Sequence, residues 1–228
     1  MMTIQEAMEA RHAVRAYTDE PISQSDRAAL NEAIAQANAA SGLSMQLVCD
    51  EPRAFTTGRA HFGSFKGVSN YLVLAGPDSP ELDGLSGYWG EGIVLLATQL
   101  GLDSCWVALT FGKGAASRFV EPGQRLSLVA SLGHGVTHGV AHTSKPADRL
   151  VGYAAPMSAE SAPAWFSAGV HAALLAPTAM NQQKFRITCT GAKTARLENL
   201  GGPYSAVDLG IVRHDFELGA GKGSFAWE

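Results

Sequence analysis

The sequence predicts a protein in which helices alternate with buried strands, an α/β pattern. Apolar residues recur at helical spacing in segments such as "GYWGEGIVLLATQLGL", where Trp89, Ile93 and Leu96 fall on one helical stripe. Short apolar runs such as "NYLVLAG" and "LSLVASL" are typical of strands that are covered on both faces. A chain of 228 residues is long enough to bury a core without disulfides or structural metals.

The first part of the chain contains two helix signals followed by strands. Thr3 and Glu6 have the spacing of a capping box, so a first helix is expected to run to about Arg11. Ser23 caps a second helix, which Gly42 ends. Strands are predicted at "MQLVC", "NYLVLAG", "SCWVAL" and "LSLVASL", with a further helix before the third of them.

The segment "HTSKPADRLVGYAAPMSAESAP" is rich in Pro, Ser and Ala, and we interpret it as a linker. Two regions are therefore expected, residues 1–145 and residues 146–228. In the second, "PAWFSAGVHAALLAP" is a predicted helix that Pro177 closes, because the residue before a proline is disfavoured in the helical conformation. "KFRITCT" is a predicted strand, and "DLGIVRHDFELG" a short helix with Asp208 as its cap and Gly219 as its stop.

The two regions share features that predict an internal duplication. "ASGLSMQLV" at 40–48 aligns with "PTAMNQQKF" at 177–185, and each stretch follows a predicted helix and precedes a predicted strand. The tripeptide Gly-Ile-Val also recurs, at 92–94 and at 210–212. The second copy is the shorter of the two.

Composition excludes several classes of protein. The formal net charge of -4 gives no general attraction to nucleic acid or to anionic lipid, so any anion site must be local. The three cysteines lie far apart in apolar runs, which indicates a reducing compartment rather than a disulfide framework or a thiolate metal site. Neither a signal peptide nor an apolar run of the roughly 20 residues that span a membrane is recognised. We expect a cytoplasmic protein without nucleic-acid or membrane partners.

Positive charge is concentrated where the first helix is predicted to end. "EARHAVRAY" brings Arg11, His12 and Arg15 close together in a chain that is acidic overall. Cations are favoured near a helix C-terminus, so a solvated helix end is one interpretation. The other is a local anion site, because a phosphate is bound by cationic groups and free backbone N–H groups.

Three stretches of the sequence resemble the FMN-dependent nitroreductase family. "ARHAVRAY" resembles the family's basic turn, "APTAMNQQKF" its Pro-Ser/Thr-x-x-Asn-x-Gln turn, and "LGLDSCWVALT" its helix-to-strand segment beside the flavin ring. The likeness covers nearly the whole chain and is greatest to a compact branch in which one chain mimics the usual homodimer. It implies an α+β fold, with a mixed or antiparallel sheet flanked by helices, and FMN between two pseudo-symmetric halves.

The resemblance also implies which residues bind the flavin. They are Arg11, His12, Ala13, Arg15, Lys66, Trp106, Val107, Ala108, Leu109, Lys145, Pro177, Thr178 and Asn181. Arg11 and Lys145 are assigned to the phosphate, and Arg15 and Lys66 to the pyrimidine edge. Ala13 replaces a serine that many relatives use for the phosphate, and Ala108 replaces a common acidic residue. No catalytic side chain is expected, because the cofactor carries the chemistry.

Only one complete flavin site per chain is expected. Where the second copy of the duplicated turn has Pro177, Thr178 and Asn181, the first copy has Ala40, Ser41 and Ser44. A monomer that mimics a dimer, or a weak homo-oligomer, is therefore the expected assembly.

The activity implied by the resemblance is transfer of hydride from NADH or NADPH through flavin N5 to a nitroaromatic or quinone, in ping-pong order. Two alternatives are a flavin-binding sensor or flavin-consuming protein, and a cofactor-free interaction scaffold. A metal site at His134, His138 and His142 would require these residues to share a helix face. The Gly, Val and Thr residues between them disfavour that helix, and no metal site is expected.

Overall fold

The computed structural model describes residues 2–228, which divide into two compact units. Unit 1 ends at Ala141 and unit 2 begins at His142, slightly before the boundary expected from the linker composition. Each unit combines helices with a β-sheet, so the α+β class is confirmed.

Unit 1 contains a sheet whose strands are all antiparallel to their neighbours. Its helices α1 to α5 span Ile4–Ala10, Gln24–Ser41, Arg53–Thr56, Leu82–Gln99 and Lys113–Ala116. Its strands β1 to β4 span Gln46–Val48, Asn70–Pro77, Asp103–Val107 and Gln124–Gly133. The strand order is β1-β2-β4-β3, so β3 lies at an edge of this sheet.

Local sequence signals account for the helices that open unit 1. The Thr3 Oγ1 accepts the Glu6 N–H at 3.2 Å, and the Thr3 N–H donates to the Glu6 carboxylate at 2.7 Å, which completes the predicted capping box. Helix α1 then ends at Arg11, its C-terminal cap. Ser23 and Gly42 cap α2, with Gly42 in the left-handed conformation at φ 75°.

An apolar core fixes the unit 1 sheet beneath these helices. Residues 70–76 of β2 are buried throughout, as expected for a strand covered on both faces. Phe55 packs against Phe65 and Tyr71 with ring centroids 5.1 and 5.7 Å apart, and this cluster extends into buried valines of β2 and β4. The segment that follows α3 is thereby held against the sheet.

Unit 2 contains a mixed sheet and a pair of packed helices. Its helices α6 to α8 span Ala147–Leu150, Ala164–Ala173 and Ser205–Ala220. Its strands β5 to β8 span Val151–Tyr153, Phe185–Gly191, Thr194–Asn199 and Ala226–Trp227. In the order β5-β6-β7-β8 the central pair is antiparallel and the two outer pairs are parallel. Helices α7 and α8 approach closely at Gly169, where a Cβ would lie 2.7 Å from the Phe216 ring.

Three expectations about unit 2 were wrong in detail. The presumed linker contains α6 and β5, because backbone pairing of β5 with β6 stabilises an extended segment that its composition does not reveal. Helix α8 begins at Ser205 rather than at Asp208, with Tyr204 as its cap. It also continues past Gly219, because packing against α7 supports this glycine within the helix.

Within residues 2–228, no helix has both the length and the apolar character needed to cross a membrane.

Candidate functional site

Arg11 is buried inside unit 1. Its side chain is 4% exposed, and its Nε lies 3.9 Å from Oε1 of Glu91, which is fully buried on α4. The other carboxylate oxygen of Glu91 accepts a hydrogen bond from the Trp106 indole N–H at 2.9 Å. The positive charge of Arg11 is therefore compensated within the protein, and the solvated helix-end interpretation is wrong for this residue.

Arg15 in the basic turn and Lys66 in a separate loop are both exposed cations. The Lys66 N–H donates to the Arg15 carbonyl and the Tyr17 N–H donates to the Lys66 carbonyl, both at 2.9 Å. These bonds place Lys66 opposite Ala16, so the segments that carry Arg15 and Lys66 run side by side although they lie far apart in the sequence. Within residues 2–228 neither side chain takes part in an ion pair, so both charges face solvent uncompensated by a carboxylate.

The backbone that carries Arg15 is anchored by Tyr17. The Tyr17 hydroxyl donates to the Val14 carbonyl and forms a second hydrogen bond with Ser131, each at 2.8 Å. Burial raises the pKa of this phenol far above its ordinary value, so Tyr17 remains neutral. At Gly67, φ is 69° and a Cβ would collide with the Tyr17 carbonyl oxygen, so the approach of the Lys66 segment requires glycine there.

The basic turn runs beside the start of β3. The Val14 N–H donates to the Ser104 carbonyl at 2.9 Å, which aligns Ala13 with the start of this strand. Trp106 and Val107 end β3, and Ala108 and Leu109 follow, with Val107 buried and Leu109 48% exposed. The predicted backbone contacts at 107–109 therefore lie in the unit that carries the cationic turn.

A third segment of unit 1 covers this strand end. A Cβ on Gly63 would lie 2.7 Å from the Thr110 side chain, so the loop at 58–66 packs directly on the residues after β3. Phe62 in this loop is 83% exposed. Backbone hydrogen bonds and packing thus connect the basic turn, the loop and the residues after β3 within unit 1, and these segments expose two cations, an aromatic and an aliphatic side chain.

The histidines considered as metal ligands have other surroundings. His134 Nε2 lies 3.8 Å from Oε1 of Glu20, and His138 Nδ1 lies 3.2 Å from Oδ1 of Asp103. His12, which was assigned to the flavin, has its Nδ1 2.9 Å from the Arg11 carbonyl oxygen. In unit 2, His142 Nε2 lies 3.1 Å from the Leu174 carbonyl oxygen. No group of three or more His, Cys, Asp or Glu residues within the described chain is arranged to hold a metal ion.

The predicted flavin-binding turn of unit 2 has an unusual backbone. Met180, Asn181 and Gln183 adopt positive φ angles of 53°, 51° and 43°. The Thr178 Oγ1 accepts the Gln183 N–H at 3.0 Å. The Asn181 side chain donates to the Thr143 carbonyl at 3.0 Å and accepts from the Gln183 amide at 2.7 Å. Asn181 is exposed, but its amide already has a partner at each end.

Asp208 supports this turn from the first part of α8. Its carboxylate accepts the Ala179 N–H at 2.8 Å and the Gln182 side-chain amide at 2.7 Å. The role expected for Asp208, a helix cap, was wrong, since it holds a neighbouring turn instead of its own helix end. Burial raises the pKa of this carboxyl above its ordinary value, although the two hydrogen bonds oppose that shift.

Lys145 also serves the unit 2 turn. Its ammonium donates to the carbonyls of Gln182 and Gln183 at 2.5 and 3.2 Å, and its N–H donates to the Gln183 side chain at 2.6 Å. Arg149 and Lys184 line the same cleft, whose volume is about 470 Å³. The structure therefore places Lys145 in a basic cleft of unit 2, with its charged group directed at backbone carbonyls.

A family model described as "Putative TM nitroreductase" matches residues 3–220 of the chain. The chain belongs to this nitroreductase family. The resemblance seen in the sequence is thus confirmed, including the compact branch to which it pointed.

Solved structures support the fold of this nitroreductase. A Thermotoga maritima protein described as a "putative nitroreductase" has a TM-score of 0.66 and 20% identity, over 95% of this chain and 83% of that one. A Desulfovibrio desulfuricans protein, described in the same words and solved in complex with FMN, has a TM-score of 0.51 and 19% identity, over 64% of this chain and 94% of that one. The Vibrio harveyi NADPH:FMN oxidoreductase, solved with NAD+, has a TM-score of 0.50 and 18% identity, over 64% of this chain and 74% of that one. Comparison with curated proteins gives no match.

Sequence reasoning missed the roles of three residues that organise the candidate binding segments of this nitroreductase. Glu91 and Gln183 are buried and hydrogen-bonded to the predicted residues Trp106 and Asn181, and the buried Asp208 is hydrogen-bonded to Gln182 of the predicted turn. A signal for Glu91 was present, since a carboxylate within the apolar helix "GYWGEGIVLLAT" must be paired if it is buried. Gln183 belongs to the recognised turn motif, but its role inside the turn depends on the conformation of that turn.

Proposed function

We propose that this nitroreductase binds FMN and uses it to pass hydride from NADH or NADPH to a nitroaromatic or quinone acceptor. The observation that carries the proposal is that backbone hydrogen bonds join the segments of Arg15 and Lys66, two exposed cations of unit 1, with Lys66 opposite Ala16. Two such cations on paired segments are suited to a ligand that becomes negative during the reaction. The free thiols of Cys49, Cys105 and Cys189 support a cytoplasmic setting.

The residues present fit FMN by their chemistry. FMN combines a phosphate, a polar pyrimidine edge and an apolar ring, and the connected segments of unit 1 offer cations, backbone groups and exposed apolar side chains. When bound, the flavin would accept and donate the hydride. Lack of a side chain at Gly63 leaves room for the loop to lie against Thr110.

Arg15 and Lys66 would act through their charge. A guanidinium beside the pyrimidine edge would stabilise the reduced flavin, which carries negative charge at that edge. The reduction potential of the flavin would therefore be raised. The backbone at Val107, Ala108 and Leu109 would orient the ring, since a main-chain contact does not depend on the side chain.

The exposed apolar groups of the loop and strand end would receive the second substrate. Phe62 and Leu109 offer an exposed aromatic and an exposed aliphatic side chain in the segments next to the basic turn. A planar nitroaromatic or quinone is suited to such a surface, because it can stack on an aromatic ring. A single surface that serves the reductant and the acceptor in turn is the physical basis of the proposed ping-pong order.

We also assign flavin contacts to Pro177, Thr178 and Asn181 of unit 2. Their support is the resemblance of the turn together with its left-handed backbone, since strained conformations are concentrated at functional sites. Because both ends of the Asn181 amide are engaged within unit 2, its contact with a flavin would use the remaining lone pair of Oδ1.

A cofactor-free interaction scaffold is the second candidate, and the burial of Arg11 against Glu91 is the observation that favours it. Flavin absorbance of the purified protein, and titration with FMN followed by flavin fluorescence, separate the two. Stoichiometric FMN binding, followed by NADH or NADPH oxidation with an added quinone, supports the oxidoreductase. Absence of FMN binding would contradict the oxidoreductase and favour the cofactor-free interaction scaffold.

Substitutions of Arg15 and Lys66 make the test of flavin binding specific to unit 1. Arg15→Gln is expected to lower the flavin reduction potential, and Lys66→Gln to lower it less, because the lysine charge is more strongly hydrated. Lys193→Gln, at an exposed lysine in the turn between β6 and β7, is the matched control. Equal potentials for wild type and Arg15→Gln would contradict the assignment of Arg15.

A further inference from the structure

A single buried carboxylate connects the two segments to which flavin contacts are assigned in unit 1. Glu91 on α4 lies 3.9 Å from the Arg11 guanidinium and accepts a hydrogen bond from Trp106 at 2.9 Å. Arg11 ends the helix that leads into the basic turn, and Trp106 stands next to the backbone at 107–109. We propose that Glu91 is a positioning residue, which acts through Arg11 on the phosphate of FMN; this inference rests on the proposed function.

The cost of burying charge explains why this carboxylate matters. Glu91 is 0% exposed and the Arg11 side chain 4% exposed, so each charge requires the other as a counter-ion. Arg11 faces Glu91 through its Nε, the inner edge of the guanidinium. The paired terminal nitrogens form the fork that binds a phosphate bidentately, and the attraction of Glu91 for Nε favours an orientation in which that fork points away from the carboxylate.

The indole of Trp106 holds the carboxylate in place. A Cβ on Gly90 would lie 2.7 Å from the Trp106 ring, so the ring packs directly on α4 beside Glu91. The hydrogen bond from the indole satisfies one carboxylate oxygen and directs the other toward Arg11. Glu91 is thus held by an aromatic ring and a helix, which are rigid supports for a positioning role.

Substitution by glutamine separates charge from shape at this position. Glu91→Gln keeps an oxygen that can accept the Trp106 indole N–H but removes the charge that orients Arg11. Without this counter-ion the guanidinium is a buried uncompensated cation, which leaves its position to regain solvation. The expected consequence is a weaker contact with the flavin phosphate and an unchanged contact with the flavin ring.

The test compares FMN with riboflavin, which lacks the phosphate, by fluorescence titration of the full chain. Wild type is expected to prefer FMN, and Glu91→Gln to reduce that preference about tenfold without changing riboflavin affinity. A general loosening of the structure would instead lower the affinities for FMN and riboflavin equally, and that result would overturn the proposal. In an Arg11→Met background, Glu91→Gln is expected to cause no further change, because the residue through which it acts is gone.

A matched control is available in the same unit. Glu51 is also buried and paired with an arginine, Arg53, at 2.7 Å, but contacts none of the assigned flavin residues. Glu51→Gln is expected to leave the preference for FMN over riboflavin unchanged. An equal loss in both variants would overturn the positioning role of Glu91.

The remaining outcomes are also decisive. If wild type binds neither ligand, the proposed function fails and the inference with it, whereas an unchanged FMN preference in Glu91→Gln overturns the inference alone. If Glu91→Gln does not fold, Glu91→Asp is the alternative variant. It keeps the carboxylate but moves it away from Arg11 by the length of one methylene, and a reduced preference for FMN is again expected. A second readout needs no flavin: the Trp106 indole N–H resonance, assigned with Trp106→Phe, is expected to shift when its acceptor loses charge.

Discussion

The two connections that lead from a helix into a strand differ sharply between the units. In unit 1, residues 42–45 join α2 to β1, and Gly42 is the left-handed residue of this turn. The Asn38 side chain closes it, since its amide bonds both the N–H and the carbonyl of Met45 at 2.9 Å. This connection is short and is stabilised from within.

In unit 2, residues 174–184 join α7 to β6, and the connection is longer and more strained. Its left-handed positions are occupied by Met180, Asn181 and Gln183 rather than by glycine, and it is held by Asp208 from α8. Both units nevertheless contain a helix, a strand, its antiparallel partner strand and a further helix in this order, although α3 separates β1 from β2 in unit 1. The comparison teaches that two similar frameworks carry different turns, and that only the unit 2 turn has the strain expected of a binding segment.

The largest effect is expected where the unit 2 turn is held. Asp208→Ala removes the acceptor for the Ala179 N–H and for the Gln182 amide, and leaves both donors in a poorly solvated position. We expect the free energy of unfolding to fall by about 2–3 kcal/mol in urea denaturation. A loss below 0.5 kcal/mol, the range of ordinary surface substitutions, would show that the turn does not depend on Asp208.

The same carboxylate predicts a pH dependence. Burial raises the pKa of Asp208, so the folded state holds the proton more tightly than the unfolded chain does. This contribution to stability is fully present below the unfolded pKa of about 3.9, and is lost as the pH rises through the folded pKa. The stability of wild type relative to Asp208→Asn should therefore decrease as the pH rises through this window. A relative increase would contradict the raised pKa.

A smaller loss is expected for the asparagine that closes the unit 1 turn. Asn38→Ala removes two hydrogen bonds to the Met45 backbone, and we expect destabilisation of about 1–2 kcal/mol. FMN affinity should remain that of wild type, because this turn is proposed to have no ligand. Weakened FMN binding by Asn38→Ala, with stability unchanged, would give the unit 1 turn a binding role and remove the contrast between the two turns.

Flavin binding itself distinguishes the two turns. Asn181→Ala is expected to weaken FMN binding roughly five- to tenfold, the effect of about one hydrogen bond. Ser44→Ala, at the position aligned with Asn181, should leave affinity unchanged. Fluorescence titration gives the affinities, and flavin released on denaturation gives the stoichiometry. Two FMN per chain, or equal sensitivity of the two variants, would contradict the single-site prediction.

The sequence was informative wherever local rules act. Capping at Thr3, Ser23 and Gly42 and the buried strands of unit 1 were all predicted, because each depends on residues close in the chain. Strand β5 was missed, since its only support is pairing with β6, more than 30 residues later. The burial of Arg11 could not be foreseen either, because its counter-ion Glu91 is brought to it by packing of α1 against α4.

The smallest effects concern backbone strain at the two turns, and they are expected to have opposite signs. Met180 is 79% exposed with φ 53°, so Met180→Gly relieves the left-handed strain without removing buried area, and is expected to stabilise the protein by about 0.5–1 kcal/mol. Gly42 has φ 75°, and a Cβ there would meet nothing within 4 Å, so Gly42→Ala adds strain alone and should destabilise by roughly 1 kcal/mol. Thermal and urea denaturation measure both. If Met180→Gly destabilises the protein, the unit 2 turn is not strained at this residue, and its contrast with the glycine-containing turn of unit 1 loses its physical basis.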